Sequence, residues 1–204
     1  EVFLTPSISL QEIVQNGKHQ NLDLLLSNIQ DLLAEQTVNK IAADYYHISQ
    51  WLEQNASSDY EFIIIDAPAS TSPISINAML AADLIIVPLE CEALAIKSLK
   101  RFLQAFKELQ KNIEPGLRLA GILLTMYDDE ILSHQQVCRQ IYQTLGDSVF
   151  ETIIPNCPYI LEASSMGIDV IQRHLNSEGA TGYIRLANEL LDRFLLPKSE
   201  EASQ

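Results

Sequence analysis

Residues 60–70 read Tyr60-Glu61-Phe62-Ile63-Ile64-Ile65-Asp66-Ala67-Pro68-Ala69-Ser70, and this stretch decides the fold. Four consecutive apolar residues without polar alternation are what a strand covered on both faces requires. The run ends on Asp66 and breaks at Pro68, which delivers one carboxylate at a strand's C-terminal end. Open α/β sheets bind ligands at that edge. A hard cation such as Mg²⁺ takes oxygen ligands and keeps several waters, so a single aspartate there can hold it, directly or through water, beside a nucleotide phosphate. The same carboxylate can equally cap the turn that follows, and the strand alone does not choose between the two roles.

Working outward, other short apolar runs alternate with longer amphipathic stretches, the pattern of a mainly parallel sheet with helices on its faces. Residues 84–87, closed by Pro88, and 120–124 have the same unalternating character as 62–65, residues 22–26 form a plausible strand, and 149–154 a weaker one. Leu99, Phe102, Leu103, Phe106 and Leu109 recur at helical spacing, as do Ala187, Leu190, Leu191, Phe194 and Leu195. Ser72 before Pro73 is a helix start, predicting a helix over 73–82. Further helices are expected at 29–33, 41–52 and 132–145, the last ending before Gly146. Residues 197–204 form a polar tail, and no repeat or linker divides the chain, so 1–204 reads as a single domain.

The 204 residues are 47% hydrophobic with 7 Gly and 8 Pro, the composition of an ordinary globular domain able to bury a core. Against 13 basic side chains stand 27 acidic ones, a formal charge of −14, so a phosphate backbone is repelled at long range and any DNA contact must be local. Cys91, Cys138 and Cys157 lack C-x-x-C spacing, which suggests neither a disulfide framework nor zinc and fits a reducing cytoplasm. No apolar run reaches the eighteen or so residues of a membrane span. His19, His47, His134 and His174 are scattered without metal-ligand spacing.

Several segments resemble, in the same order, those of the ParA/Soj/MinD partitioning ATPases. Residues 62–70 are similar to the family's FIIIDCPPS, with Ala67 and Ala69 in place of its Cys and second Pro while Pro68 and Ser70 remain. Ile76-Asn77-Ala78-Met79-Leu80-Ala81-Ala82-Asp83 resembles INALxAAD, and residues 84–92, LIIVPLECE, look like the next strand and turn. Residues 121–128, GILLTMYD, resemble GVLLTMYD; residues 149–155, VFETIIP, resemble VFxTVIP; and Glu162-Ala163-Ser164-Ser165-Met166-Gly167 is similar to the SEAPSFG turn. Residues 21–28, NLDLLLSN, match a segment preceding all of these. Collinear matches over most of the chain are far more specific than any one motif.

The resemblance implies a three-layer P-loop NTPase-like α/β fold, with ATP and Mg²⁺ as cofactors. It makes Asp66 the magnesium-side aspartate, carries Asp66 and Pro68 over as the catalytic positions, and lines the adenine with Thr125 and Met126 at one strand end and Pro155 and Asn156 at the next. Asparagine can donate and accept at a purine edge, yet it is equally at home in any turn after proline. The implied cycle is a homodimer that sandwiches ATP, binds a surface such as DNA, and is released when a ParB-like or cargo-adaptor protein stimulates hydrolysis.

The departures are as informative. The family's KGGxGKT loop, whose backbone N–H groups and lysines neutralise phosphate, has no counterpart here. Gly17-Lys18 lacks the upstream glycine and the following Ser/Thr, so it reads as a solvated turn. The first βα unit, on the order of 30 residues, is expected to be missing. Glu1 in place of Met fits processing or a truncated reading frame, and a degenerate protein is the other explanation. By itself this chain is expected not to hydrolyse ATP. Where the family reads MYDxRT and IPRNVRLSEAPS, residues 126–131 and 154–162 carry no arginine, and Asn176-Ser177-Glu178-Gly179-Ala180 replaces SKGA. That counts against nonspecific DNA binding. Lys97, Lys100, Arg101, Lys107 and Lys111 on one predicted helix remain as DNA candidates or as a solvated face. A MinD-like membrane tail is not expected, because Pro197 and Glu200-Glu201 follow the last helix. From another functional class, a nucleotide-independent interaction or dimerisation module remains the alternative.

Overall fold

The computed structural model describes residues 7–17, 19–27, 32–56 and 60–195. In chain order the elements are α1 (Leu10–Ile13), β1 (Gln15–Asn16), β2 (Asp23–Leu24), α2 (Leu32–Ile41), α3 (His47–Asn55), α4 (Pro73–Leu80), β3 (Ile85–Glu90), α5 (Ala93–Asn112), β4 (Leu119–Thr125), α6 (Leu132–Leu145), α7 (Pro158–Ser165), α8 (Val170–Arg173) and α9 (Glu178–Leu190). A π turn over Leu191–Leu195 continues α9. Lys18, the first residues of the helix expected at 29–33, and the tail at 197–204 lie outside the described residues. No described helix is long and apolar enough to cross a membrane. The chain separates into two compact units, Glu1–Leu84 with Glu108–Arg118, and Ile85–Lys107 with Leu119–Gln204.

In the first unit β1 and β2 pair antiparallel as a two-residue hairpin, so the strand expected at 22–26 shrinks to Asp23–Leu24, with Leu25 and Leu26 exposed. Trp51 of α3 is buried with Leu10 of α1 and Ala56, and its indole N–H donates to the Ile8 carbonyl at 3.0 Å. The helix expected over 41–52 is two helices, because the turn between α2 and α3 spends its backbone groups on Asn77. That side chain, fully buried in α4, donates to the carbonyls of Ala42 (3.2 Å) and Asp44 (2.7 Å) and accepts from the Ile48 amide (2.8 Å). Helix α4 starts where expected, with Ser72 at its N-cap and Pro73 in the first turn.

Residues 62–65 depart from expectation. They are extended but belong to no strand, and Phe62, Ile63 and Ile64 are 56%, 47% and 93% exposed. A strand covered on both faces needs paired neighbours and two packed layers, and among the described residues no backbone hydrogen bond joins residues 62–66 to another strand.

The second unit holds the parallel sheet. β3 and β4 pair in parallel from Ile85 opposite Leu119 to Glu90 opposite Thr125, with an irregularity between Ile85 and Ile86. Residues 149–156 run alongside β4, with bridges from Ile122 to Val149 and from Tyr127 to Pro155, both parallel. β4 is buried throughout its centre, as its unalternating sequence demands. β3 is not: Ile86, Pro88 and Glu90 are exposed while Leu89 is buried. Pro88 lies inside β3 opposite Leu123 rather than closing it. Proline has no N–H to give a ladder and is tolerated in a strand only where that side is unpaired. Leu99 of α5 with Val137 and Ile141 of α6 pack on Leu89, Ile122 and Leu124 to form the main core. α6 spans the residues expected and stops at Gly146, whose φ of 49° favours glycine.

Candidate functional site

The carboxyl edge of the parallel sheet gathers four of the positions singled out in the sequence. β4 ends at Thr125, whose carbonyl accepts from the Cys91 amide at 3.2 Å. Met126 follows with φ 53°, the left-handed region, and no other described non-glycine residue has positive φ. Long side chains rarely adopt that conformation, and the cost is borne when surrounding structure fixes it. Tyr127 then rejoins the sheet: its amide donates to Ile154 (3.2 Å) and its carbonyl accepts from Asn156 (2.7 Å). Thr125, Met126, Pro155 and Asn156 are thus brought together on adjacent strand ends.

Met126 and Asn156 are exposed, Thr125 and Pro155 half-buried. Beside them a cleft of about 410 Å³ is lined by Tyr127, Ile153, Pro155, Thr181, Gly182 and Arg185, among others. That volume suits a small organic ligand. Ser177 caps α9 at the cleft's side, accepting from the Ala180 amide at 3.2 Å. Burial, and after it the negative charge available to Cys138 and Asp129, raises the Tyr127 phenol, which therefore stays a neutral hydrogen-bonding group. Sequence reading missed Tyr127, Thr181 and Arg185 as lining residues. Tyr127 was visible within the quoted MYD segment, whereas nothing in the α9 sequence marks Thr181 or Arg185. Burial, then Cys138, pushes the Cys91 thiol up to about 11, so it is protonated at neutral pH and no nucleophile.

Asp66 and Pro68 belong to the first unit. The Asp66 side chain is exposed, and its carboxylate makes no hydrogen bond or ion pair with another described residue. The turn after it is tied by hydroxyls. Pro68 O accepts from the Ser70 amide (2.7 Å) and from Ser75 Oγ (3.0 Å), and Ser70 Oγ lies 2.9 Å from both Ser72 Oγ and Ser75 Oγ. The turn is therefore organised without the Asp66 carboxylate. Among the described residues no group of three or more His, Cys, Asp or Glu could hold a metal, so Asp66 offers a lone oxygen donor set. On α5 the five basic side chains Lys97, Lys100, Arg101, Lys107 and Lys111 are all exposed.

Comparison with known proteins bears on the family and the fold. A protein-family profile described as an AAA domain matches residues 1–119. The chromosome-partitioning ATPase Soj of Thermus thermophilus is 40% identical over 134 residues, covering 66% of this chain and 54% of Soj. The chromosome partitioning protein ParA of Caulobacter vibrioides is 32% identical over 160 residues, covering 78% of this chain and 60% of ParA. The chain thus spans little more than half the length of these relatives. Among solved structures, the septum site-determining protein MinD of Pyrococcus horikoshii, complexed with Mg-ADP, superposes with a TM-score of 0.70 at 21% identity over 93% of this chain and 71% of MinD, a likeness of fold. With a parallel sheet flanked by helices, a family profile over more than half its length and collinear motifs throughout, the chain belongs to the ParA/Soj/MinD family of P-loop AAA-domain proteins.

Proposed function

We propose that this chain carries the base-side and magnesium-side residues of a ParA-like ATPase that partitions DNA or positions cargo. In this reading the protein works as an ATP-bound homodimer in the cytoplasm, and a ParB-like or cargo-adaptor protein stimulates hydrolysis. The observation that carries it is Met126: a non-glycine residue held at φ 53° on the carboxyl edge, beside the Tyr127–Asn156 bond. Strain of that kind concentrates at ligand sites, and the edge is where open α/β sheets bind ligands. In this reading Thr125 and Met126 on one side and Pro155 and Asn156 on the other receive the purine. The Asn156 side-chain amide supplies both a donor and an acceptor to its edge.

Asp66 fits a magnesium ligand in its chemistry: a hard, exposed carboxylate not already engaged by a described neighbour. Bound there, Mg²⁺ would shield phosphate charge. Pro68 and its serine-bonded turn hold the backbone that follows the carboxylate. The net charge of −14 and the acids at Asp128, Asp129 and Glu130 count against a DNA contact at this edge and leave the basic residues of α5 as its candidates.

Photolabelling with 8-azido-ATP tests the base-side assignment directly. The label is expected on the peptide carrying Met126 and Tyr127 or on that carrying Pro155 and Asn156, and Asn156→Ala should reduce it several-fold, since a lost hydrogen bond to the base is worth about 1 kcal/mol. Labelling confined to other peptides, or unmoved by Asn156→Ala, would refute the assignment.

A further inference from the structure

Residues 149–156 do not follow β4 in even step. From Ile122 to Tyr127 is five residues, whereas from Val149 to Pro155 is six, so the segment carries one extra residue between its two bridges. The hydrogen bonds resolve that net difference: the segment advances four residues from Phe150 to Ile154 while β4 advances two, from Ile122 to Leu124, and it advances two from Ile154 to Asn156 while β4 advances three, from Leu124 across Met126 to Tyr127. The amides of Phe150, Ile154 and Asn156 donate to Ile122, Leu124 and Tyr127, at 3.0, 2.9 and 2.7 Å. Thr152, the alternate residue between them, is diverted. Its amide and that of Glu151 donate instead to the two oxygens of the Glu189 carboxylate, at 2.8 and 2.7 Å.

Arg193 completes the grip. It pairs with Glu189 at 2.5 Å, its guanidinium carbon lies 5.2 Å from the centre of the Phe150 ring, and both terminal nitrogens reach the Val149 carbonyl at 3.4 Å. Both side chains are largely buried, Glu189 at 13% and Arg193 at 26% exposure. Arg193 sits in the π turn of Leu191–Leu195, where the added backbone residue rotates it relative to an ordinary helix. From the other direction the Tyr142 hydroxyl donates to the Phe150 carbonyl at 2.7 Å. Four consecutive residues, 149–152, are thus held by side chains rather than by a continuous ladder.

We infer that Glu189 and Arg193 are positioning residues: they stabilise a bulge at Glu151 and Thr152 that sets where Pro155 and Asn156 meet the nucleotide base. Bulges bend a strand and re-aim the side chains beyond them, and they gather next to binding sites. Without the carboxylate, the two diverted amides have no acceptor and the segment slides toward an even register with β4, which displaces Asn156 relative to Met126. The inference rests on the base-side reading of Pro155 and Asn156, and the test separates the two.

Amide hydrogen exchange by NMR on the full 204-residue chain, first without nucleotide and then with an ATP titration, provides both arms. In Glu189→Gln the amides of Thr152 and of Asn156 are expected to exchange about tenfold faster, with Ile141 of α6 unchanged within about twofold, as a local opening requires. ATP should shift the wild-type Asn156 amide, and the titration midpoint should rise about tenfold in the variant, the size of a misplaced hydrogen-bonding group. Arg193→Lys, which keeps the charge but not the planar stack on Phe150, should show the same pattern more weakly, and it serves if Glu189→Gln fails to fold. Unchanged exchange at Asn156, or an equal rise at Ile141, overturns the positioning role. A wild-type Asn156 amide that ATP does not shift overturns the base-side reading alone, because the exchange arm is recorded without nucleotide.

Discussion

The amide of Asn156 donates to the carbonyl of Tyr127 at 2.7 Å, which ties the end of one strand to the residue directly after the strained Met126. This bond converts two separate strand ends into one edge. It also prevents Met126 from relaxing, since Thr125 on its other side is held through the Cys91 amide.

Met126→Gly is therefore expected to leave stability unchanged or raise it by about 1 kcal/mol, because glycine adopts φ 53° without a Cβ penalty that offsets its entropy. Met126→Ile should cost about 1–2 kcal/mol, since a β-branched residue is least tolerant there. Urea denaturation of both variants checks this. Equal stability of the two would show that the backbone at 126 is unstrained.

Asn77 is a different kind of anchor, with three hydrogen bonds from a side chain fully out of water. Asn77→Ala orphans two carbonyls and one amide in the turn between α2 and α3, and should destabilise the first unit by about 2–4 kcal/mol. Asn77→Asp should be no better, because a carboxylate cannot donate to the Ala42 and Asp44 carbonyls. A melting curve of Asn77→Asp matching the wild type would count against this account.

What could be read from sequence followed from how much of each element's environment lies in its own residues. β4 and α6 were legible, since an unalternating apolar run and a helix stopped by Gly146 need only their local pattern and one core. The carboxyl edge was legible in part. Thr125, Met126, Pro155 and Asn156 came from resemblance, and the structure adds the reason they meet, in parallel bridges no local pattern contains. Residues 62–65 were misread because a buried strand is a property of its neighbours, and those are not specified by Phe62 to Ile65 themselves. The break after α2 was missed because Asn77, thirty-odd positions away, supplies the turn's partners. The bulge at Glu151 and Thr152 was equally hidden, being defined by Glu189 on a distant helix.

Gly121 tests close packing beneath the edge. A Cβ built there would lie 3.1 Å from a Phe150 ring carbon and 3.2 Å from the Ser148 carbonyl oxygen, with Phe150 fully buried and unable to withdraw. Gly121→Ala should thus cost about 1–3 kcal/mol through overpacking. Pairing it with Phe150→Leu, which removes ring atoms from the contact, should give a double variant less destabilised than the two losses added together. Simple additivity of the two losses would mean that the residues do not press on each other.

The Glu189 clamp also gives stability a predictable response to acid. Burial alone would raise this carboxyl, but hydrogen bonds from Thr152 and Glu151, with the Arg193 charge, outweigh it and leave it below the ordinary value of 4.5. A carboxylate held lower in the folded chain than in the unfolded one contributes stability above its unfolded value, and loses it as pH falls through the folded value. The free-energy gap between wild type and Glu189→Gln should therefore be constant at neutral pH, about 2–3 kcal/mol for charged hydrogen bonds to two amides. It should narrow as the pH is taken below 4.5, where the wild-type carboxylate gains its proton. Urea titrations across that range decide the matter: a gap that stays flat or widens on acidification means that Glu189 does not act as a charged acceptor for Glu151 and Thr152.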